Sequence, residues 1–531
     1  MAKMAKEGRK ERAPGIKPAG PGHTGRKRGQ GVRELRQERS GALNAPHHAT
    51  NVEKLEQVSR AALEARFQGC ADFLRREIVT RGGVPITLYW LEGMVKTERL
   101  NDYLIRPLMR WEQPEADGFP ERLRTSGVWN LNARERRTVE ETALDLTGGC
   151  AAVFWGERVL TCTVETEAKR PVSAVENEVA EKGSKDAFVE SLVTNTALVR
   201  RRLRTSWLRL ESHTVGRESE TAVDLVWVEG LTNPKLVEEL RKRLDGVDID
   251  ALLATGDLEP YLEGEWNSSF PQFLFTERPD RFCRGILDGR VGLLAEGIPL
   301  GALLPGDLAE FLRSPQDREY HAFMAGTLMA LRCACLLFTL VLPGFYIAVA
   351  SFHLEMLPTK LALSIIASKQ DVPFSTLFEV LTLLLAFEIL QEAGLRLPKT
   401  IGQTVSILGG LVVGQAAVEA KIVSPAVVIV VAVAGITGFT MPNQDLANAL
   451  RLWRFLLAAL SGAAGFFGLT AGLAALVCRL SALESLGVPY LTPFAPASGQ
   501  PTEPHGVLRV PTPAVKLRKL ALRPENRRRQ S

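Results

Sequence analysis

A stretch of roughly 150 residues, beginning near Ala325, is dominated by Leu, Ala, Val, Ile and Gly, and this constrains the fold more than any other feature. Charged residues crowd the first three fifths of the chain and its last few dozen positions. With 531 residues the chain is too long for one ordinary domain, and the contrast divides it into charged soluble units and an apolar unit that only lipid or a very large core can accept.

Within the apolar part, Cys333 to Phe352 is an uncharged run of about twenty residues, enough to cross a hydrocarbon core of about 30 Å as a helix. Pro343 and Gly344 near its middle are expected to kink or interrupt it. Further candidate spans are Phe374–Leu390, Thr404–Ala420, Ile422–Met441 and Phe455–Arg479. Lys421 and its neighbours, with Pro425 just beyond, predict a tight hairpin between the third and fourth. Gly409, Gly410 and Gly414 in one segment, and Gly462, Gly465, Gly468 and Gly472 in another, let helices approach closely. Arg396 and Lys399, Arg451 and Arg454 read as loop residues that favour the cytoplasmic side, as does the basic carboxyl end. With the amino-terminal region also inside, the span count must be even. With five good segments, either Leu357–Ser368 crosses or re-enters, which is the reading favoured, or one of the five does not span.

Polar residues inside these segments say more than the apolar ones. A carboxylate at the bilayer centre costs about 2.5 to 3.5 kcal/mol, so Glu379 and Glu388 must face protein or water. Nine residues apart on a helix, they point in opposite directions and cannot both line one path. Glu388 with Gln391 and Glu392 also reads as an interfacial cap. Gln403, Gln415 and Glu419 add polar groups to the third segment. Two readings stay open for each residue: lining a cation-permeable path, or interhelical hydrogen bonding.

From about Val52 to Tyr320, short β-rich runs alternate with amphipathic helical patterns, as in mixed α/β units. LYWLEG from Leu88 and LVWVEG from Leu225 each read as strand, glycine turn, helix. AAVFWGERVL from Ala151 and VGLLAEGIPL from Val291 each read as a β-hairpin, turning at Gly156 and at Gly297. The two pairings recur about 140 residues apart, which predicts two similar subdomains with a boundary near Arg170. The expected organisation is a multi-domain α+β/α membrane protein: a disordered basic arm (1–50), subdomains at 51–170 and 171–322, a polytopic transmembrane bundle of five to six segments (323–485), and a basic tail (486–531).

No catalytic constellation emerges. Ser219 in GRESET has no histidine at a suggestive position, although His213 is near, and neither phosphate-loop nor dinucleotide fingerprints occur. The expectation is a protein that is not an enzyme, with no cofactor and no metal. TERPDR, Thr276 to Arg281, reads as a structural ion-pair network rather than an anion site, and LVRRRLR, Leu198 to Arg204, as a solvated helix face in preference to one that meets lipid headgroups or a partner. The basic clusters Arg26-Lys27-Arg28 and Arg527-Arg528-Arg529 read as solvated tails, with attraction to anionic lipid headgroups or to nucleic acid as the functional alternative that a basic cluster alone does not separate; among partners no nucleic acid is expected. Seven cysteines without paired metal spacing imply no disulfide framework and a reducing compartment. The start of the chain lacks a secretory apolar core, so the amino terminus is expected in the cytoplasm.

A collinear series of motifs resembles the A subunits of GerA-type spore germinant receptors: GRESET, LVEELRKRLDGVDID, SSFPQFLFTERPDR, LDGRVGLLAEGIPL, RSPQDREY, YIAVASFHLEMLPT, EAGLRLPKTIGQTVSILGGLVVGQAAVEAKIVSP and LGVPYLTPFAP. The resemblance runs from about Gly82 to Pro496. It implies a multi-pass protein of the spore inner membrane that works with a transporter-like B subunit and a lipoprotein C subunit. It also implies assembly of A subunits into a homo-oligomeric, nutrient-gated ion channel, with Glu379, Glu388, Gln403, Gln415, Pro343 and Gly344 as pore or gating candidates. A non-conducting scaffold is the alternative. Glu419 and Lys421 depart from the small or neutral residues expected at that turn.

Overall fold

The computed structural model describes residues 57–112, 119–128, 132–165, 175, 178, 181–263, 268–396, 414–494, 511, 513 and 515–529. The arm over 1–50, the boundary near Arg170, and Lys399, Gln403, Gly409 and Gly410 lie outside the described residues.

Ten strands build two five-stranded sheets. In the first, β1 (Phe73–Val79), β2 (Pro85–Leu91), β3 (Ala133–Arg136), β4 (Cys150–Trp155) and β5 (Arg158–Thr163) are ordered β1-β2-β4-β5-β3. In the second, β6 (Leu208–Val215), β7 (Thr221–Val228), β8 (Leu274–Thr276), β9 (Val291–Ala295) and β10 (Gly301–Leu304) are ordered β6-β7-β9-β10-β8. The two orders are the same, and every pairing is antiparallel. Register repeats as well: Leu88 pairs with Val153 as Leu225 pairs with Leu293. The hairpin turns expected at Gly156 and Gly297 form, both with positive φ.

Alternation on these strands feeds two cores at once. Ile86, Leu88, Val153 and Trp155 join one cluster, while Tyr89, Leu91, Ala152 and Phe154 join the other with α1 (Arg60–Arg66) and α2 (Val139–Thr147). In the second sheet, Val223, Leu225 and Leu293 pack against α4 (Pro234–Asp245), and Leu210, Val226 and Leu294 against α3 (Leu192–Arg202) and α5 (Pro279–Asp288). A Cβ on Gly292 would lie 2.3 Å from the Phe282 ring, so only glycine lets α5 sit on this sheet.

The junction between subdomains corrects one expectation. Arg200, the middle of the basic run, is 0% exposed and holds Asp72 through Nε and Nη2, each at 2.8 Å, with Nη1 on Leu208 O at 3.1 Å. Leu198 and Val199 are buried and Arg202 pairs with Asp186, so LVRRRLR is an interface and not a solvated face. Gly93, at φ +72, brings the first subdomain against α3, where a Cβ would meet Val193 O at 2.7 Å. TERPDR forms the expected ion-pair network: Arg278 bonds Asp280 at 3.0 Å and Glu178 O at 3.0 Å, and Arg281 pairs with Glu178.

The carboxyl end is the second correction, because it is docked rather than solvated. Lys519 Nζ bonds Asp307 and Glu310, both at 3.0 Å, Arg529 bonds Asp288 at 2.7 Å, and Arg518 donates to Leu287 O at 2.8 Å. Leu522 enters the core of the second subdomain. Burial pushes the Asp307 and Glu310 carboxyls upward, and the Lys519 and Arg290 charges more than offset it, leaving both below the usual carboxylate range.

Among the described residues, five helices with both ends in view follow: α6 (Ala322–Phe352), α7 (Thr359–Lys369), α8 (Thr376–Arg396), α9 (Pro425–Gly438) and α10 (Gln444–Ala482). Two of them, α6 and α10, are long and apolar enough to cross a membrane. With 14 residues, α9 is about 21 Å long, shorter than the span expected there. With 11 residues, α7 is about 16 Å long, too short to cross; of its side chains only Ile365 is buried. Of the third expected segment only its end is described, helical over 414–419 and followed by a turn at Lys421 with φ 55.

The expected interruption at Pro343 is absent, for α6 runs through it. Pro343 removes one backbone donor, but it and Gly344 are buried in a broad α6–α10 contact that offsets the loss. The break lies in α10 instead, at Ala464 (φ −139, ψ 20) and Gly465 (φ 59, ψ −137). The helices share a core with the second subdomain: Phe270, Phe311 and Tyr490 belong to one cluster with Met329, Leu446 and Leu457. Arg332 of α6 pairs with Asp317, and Trp453 of α10 donates to Ser269 Oγ at 3.1 Å.

Candidate functional site

Where α7, α8 and α9 begin or end beside α6, the chain buries charge among apolar side chains. Glu379 lies in the first turn of α8 and is 0% exposed. Its Oε2 accepts the Ser424 N–H at 2.7 Å, and Ser424 is the residue capping α9, so the carboxylate satisfies a donor at the positive end of that helix. Lys369, the last residue of α7, places Nζ 3.6 Å from Glu379 Oε1 and donates to Thr376 Oγ1. Tyr346 of α6 faces the same group; its hydroxyl, Ser424 Oγ and Glu379 Oε1 are all buried without a hydrogen bond of ordinary geometry. One carboxylate, one ammonium and three neutral oxygens therefore meet in one place.

Glu388 projects from the opposite side of α8, as the nine-residue spacing requires. There it pairs with Arg454, which is 2% exposed, and lies 3.5 Å from Arg451. This corrects the placement of both arginines in a loop: they are interior residues of α10, held there because Glu388 needs compensation. Thr339, Phe387, Gly435, Gly438 and Gln391 line a small cavity next to Arg454. Glu392 turns away and pairs with Arg396 at 2.8 Å. In this conformation both carboxylates make interhelical bonds, to different partners.

The other candidates do not join them. Gln415 is exposed and donates to Glu419 Oε1 at 3.0 Å, while Lys421 bonds Asp371 at 2.6 Å. A Cβ on Gly344 would lie 2.7 Å from Ser461 Oγ, so Gly344 packs in the α6–α10 contact, with Pro343 buried beside it. A Cβ on Gly465, at the α10 break, would lie 3.1 Å from the Phe352 ring. In the soluble region Ser219 Oγ accepts the Leu252 N–H at 3.2 Å and His213 sits between Glu211 and Asp245, so the two do not meet. Sequence reasoning missed Lys369, Tyr346, Ser424 and Arg454. The signal for two of them was present: an isolated cation a few residues before, or within, an apolar segment that already carries an isolated carboxylate.

Residues 61–520 match the family described as Bacillus/Clostridium GerA spore germination protein. The chain is similar to spore germination protein KA of Bacillus subtilis, 33% identical over 87% of this chain and 85% of that protein. Spore germination protein B1 of the same organism is 34% identical over 83% and 92%. A Bacillus subtilis membrane protein, YfkQ, is 35% identical over 81% and 84%. Among solved structures, the crystal structure of the N-terminal domain of the A subunit of the Bacillus megaterium spore germinant receptor GerK3 aligns with 47% of this chain and 97% of that one, at 26% identity and a TM-score of 0.38.

Proposed function

Since the chain belongs to the Bacillus/Clostridium GerA spore germination family, we propose that it is the A subunit of a nutrient-sensing germinant receptor, and that copies of it assemble into a gated cation path through the spore inner membrane. It works there with a transporter-like B subunit and a lipoprotein C subunit and performs no enzymatic reaction. The soluble subdomains and the docked tail lie on the cytoplasmic side, and α6 through α10 form a polytopic bundle.

One observation carries the conducting reading: Glu379, fully buried among apolar helices, keeps an oxygen without a hydrogen bond and faces a single tethered cation. A helix that only had to sit in lipid gains nothing from such a group, whereas ion paths use carboxylates to attract cations. Nutrient binding supplies the energy for opening only through different contacts in the two states. The α10 break and the shared core between the second subdomain and the long helices are parts through which such a difference can travel.

A second reading, a non-conducting relay subunit, is favoured by the pairing of both Glu379 and Glu388 with cations of their own chain. Potassium efflux from liposomes holding the full chain with its B and C partners decides between them. Efflux that begins on nutrient addition supports the channel. No efflux, with nutrient demonstrably bound, supports the relay.

A further inference from the structure

The group around Glu379 has the composition of a small ion site already filled by a side chain. Oxygen atoms of Glu379, Thr376, Ser424 and Tyr346 converge, and only one of them carries a full charge. The opposing charge is Lys369 Nζ, on the last residue of α7. Glu379 is fully buried, while Lys369 keeps 21% of its side chain exposed, so the ammonium enters from the side.

The element that carries Lys369 is also the least anchored of the five helices. Ile365 is the single buried side chain of α7, with Leu361, Leu363 and Ile366 exposed. Moving α7 outward would therefore break few contacts and would withdraw the ammonium. Glu379 would stay, held by the Ser424 N–H, and an uncompensated carboxylate there is costly. A single monovalent cation restores the charge balance that Lys369 provided. A divalent ion fits poorly, since it would face one carboxylate and few oxygens where it normally takes six or more.

We propose that Glu379, Thr376, Ser424 and Tyr346 form a monovalent-cation binding site, and that the Lys369 ammonium occupies it as a tethered cation in the closed state. The inference rests on the conducting reading for its role in gating, but the site itself can be tested without any flux.

The first test is thermal unfolding of the full-length chain in detergent, in KCl against choline chloride at equal ionic strength. Lys369→Met empties the site, and its Tm should rise by about 2–3 °C once K+ is some hundredfold above its Kd. Wild type and the Lys369→Met/Glu379→Gln double variant should show no K+-specific rise. Should Lys369→Met fail to fold, Lys369→Gln is used with the same expectation. A K+-specific rise that persists in the double variant, or none in either single variant, overturns the site.

The second test is K+ efflux from liposomes with all three subunits. Lys369→Met should leak K+ without nutrient, and Glu379→Gln added to it should abolish the leak. A tight Lys369→Met channel overturns the gating role. If the K+-specific Tm rise is present but wild type never conducts, the site stands and the channel reading alone fails.

Discussion

Replacing Asp72 with Ala should destabilise the protein by about 3–5 kcal/mol, because it strands a guanidinium inside the junction of the two subdomains. Arg200 is 0% exposed, and Asp72 accepts two of its hydrogen bonds at 2.8 Å; a third goes to Leu208 O. Without the carboxylate the guanidinium loses its counter-charge at its present depth, so the junction must open or the cost must be borne. The exposed pair Arg217–Asp248, with both side chains 66% exposed, supplies the internal control: Asp248→Ala should cost no more than about 1 kcal/mol. Urea unfolding of the full chain in detergent, followed by tryptophan fluorescence, reads both. Replacing both partners, Asp72→Leu with Arg200→Met, should recover most of the loss, since well-packed apolar side chains substitute for a buried pair. If Asp72→Ala costs no more than Asp248→Ala, the buried pair does not hold the subdomains together.

Gly93→Ala should destabilise more than Gly83→Ala in the same urea assay. Both glycines have positive φ, but only Gly93 would drive a Cβ to 2.7 Å from Val193 O, whereas nothing lies within 4 Å of Gly83. Glu263→Gln should stabilise the protein at pH 8 and leave it unchanged at pH 4. Burial, with help from the Glu259 charge, pushes the Glu263 carboxyl up to about 7, so folding loses stability as pH rises from the ordinary carboxylate value toward 7, and the amide removes that loss. Lys519→Ala should move acid unfolding to higher pH. Asp307 and Glu310 are held below the ordinary carboxylate range, so their stabilisation is present above about pH 4 and is lost as pH falls through the depressed values; without Lys519 that loss begins sooner.

The repeated sheets were legible because strand periodicity and glycine turns are local. Leu88 and Leu225 fall at equivalent positions in both alternating runs, and that equivalence fixes a common register. Tertiary pairings were not legible. Nothing local distinguishes Arg200, which finds Asp72 128 residues away, from a solvated arginine, and nothing in Lys519 announces the acidic pocket that receives it. Proline was overrated as a breaker: Pro343 is carried through by packing, while the break falls at Gly465, where the backbone adopts a positive φ that other residues resist. Within the candidate site the carboxylates Glu379 and Glu388 stood out as isolated charges in apolar runs. Their partners did not, because Lys369 lies just past a segment that reads as a re-entrant or short sixth element, and Ser424 is one serine before a proline.

The most direct test of a cation path built by this chain is a structure of the assembled subunits in a lipid bilayer. A closed ring of copies is expected, with a water-filled axis through the bundle and the Glu379 site opening onto it once α7 has moved. A single copy, or a ring whose axis is filled with lipid and whose Glu379 faces away from it, would contradict conduction through these helices.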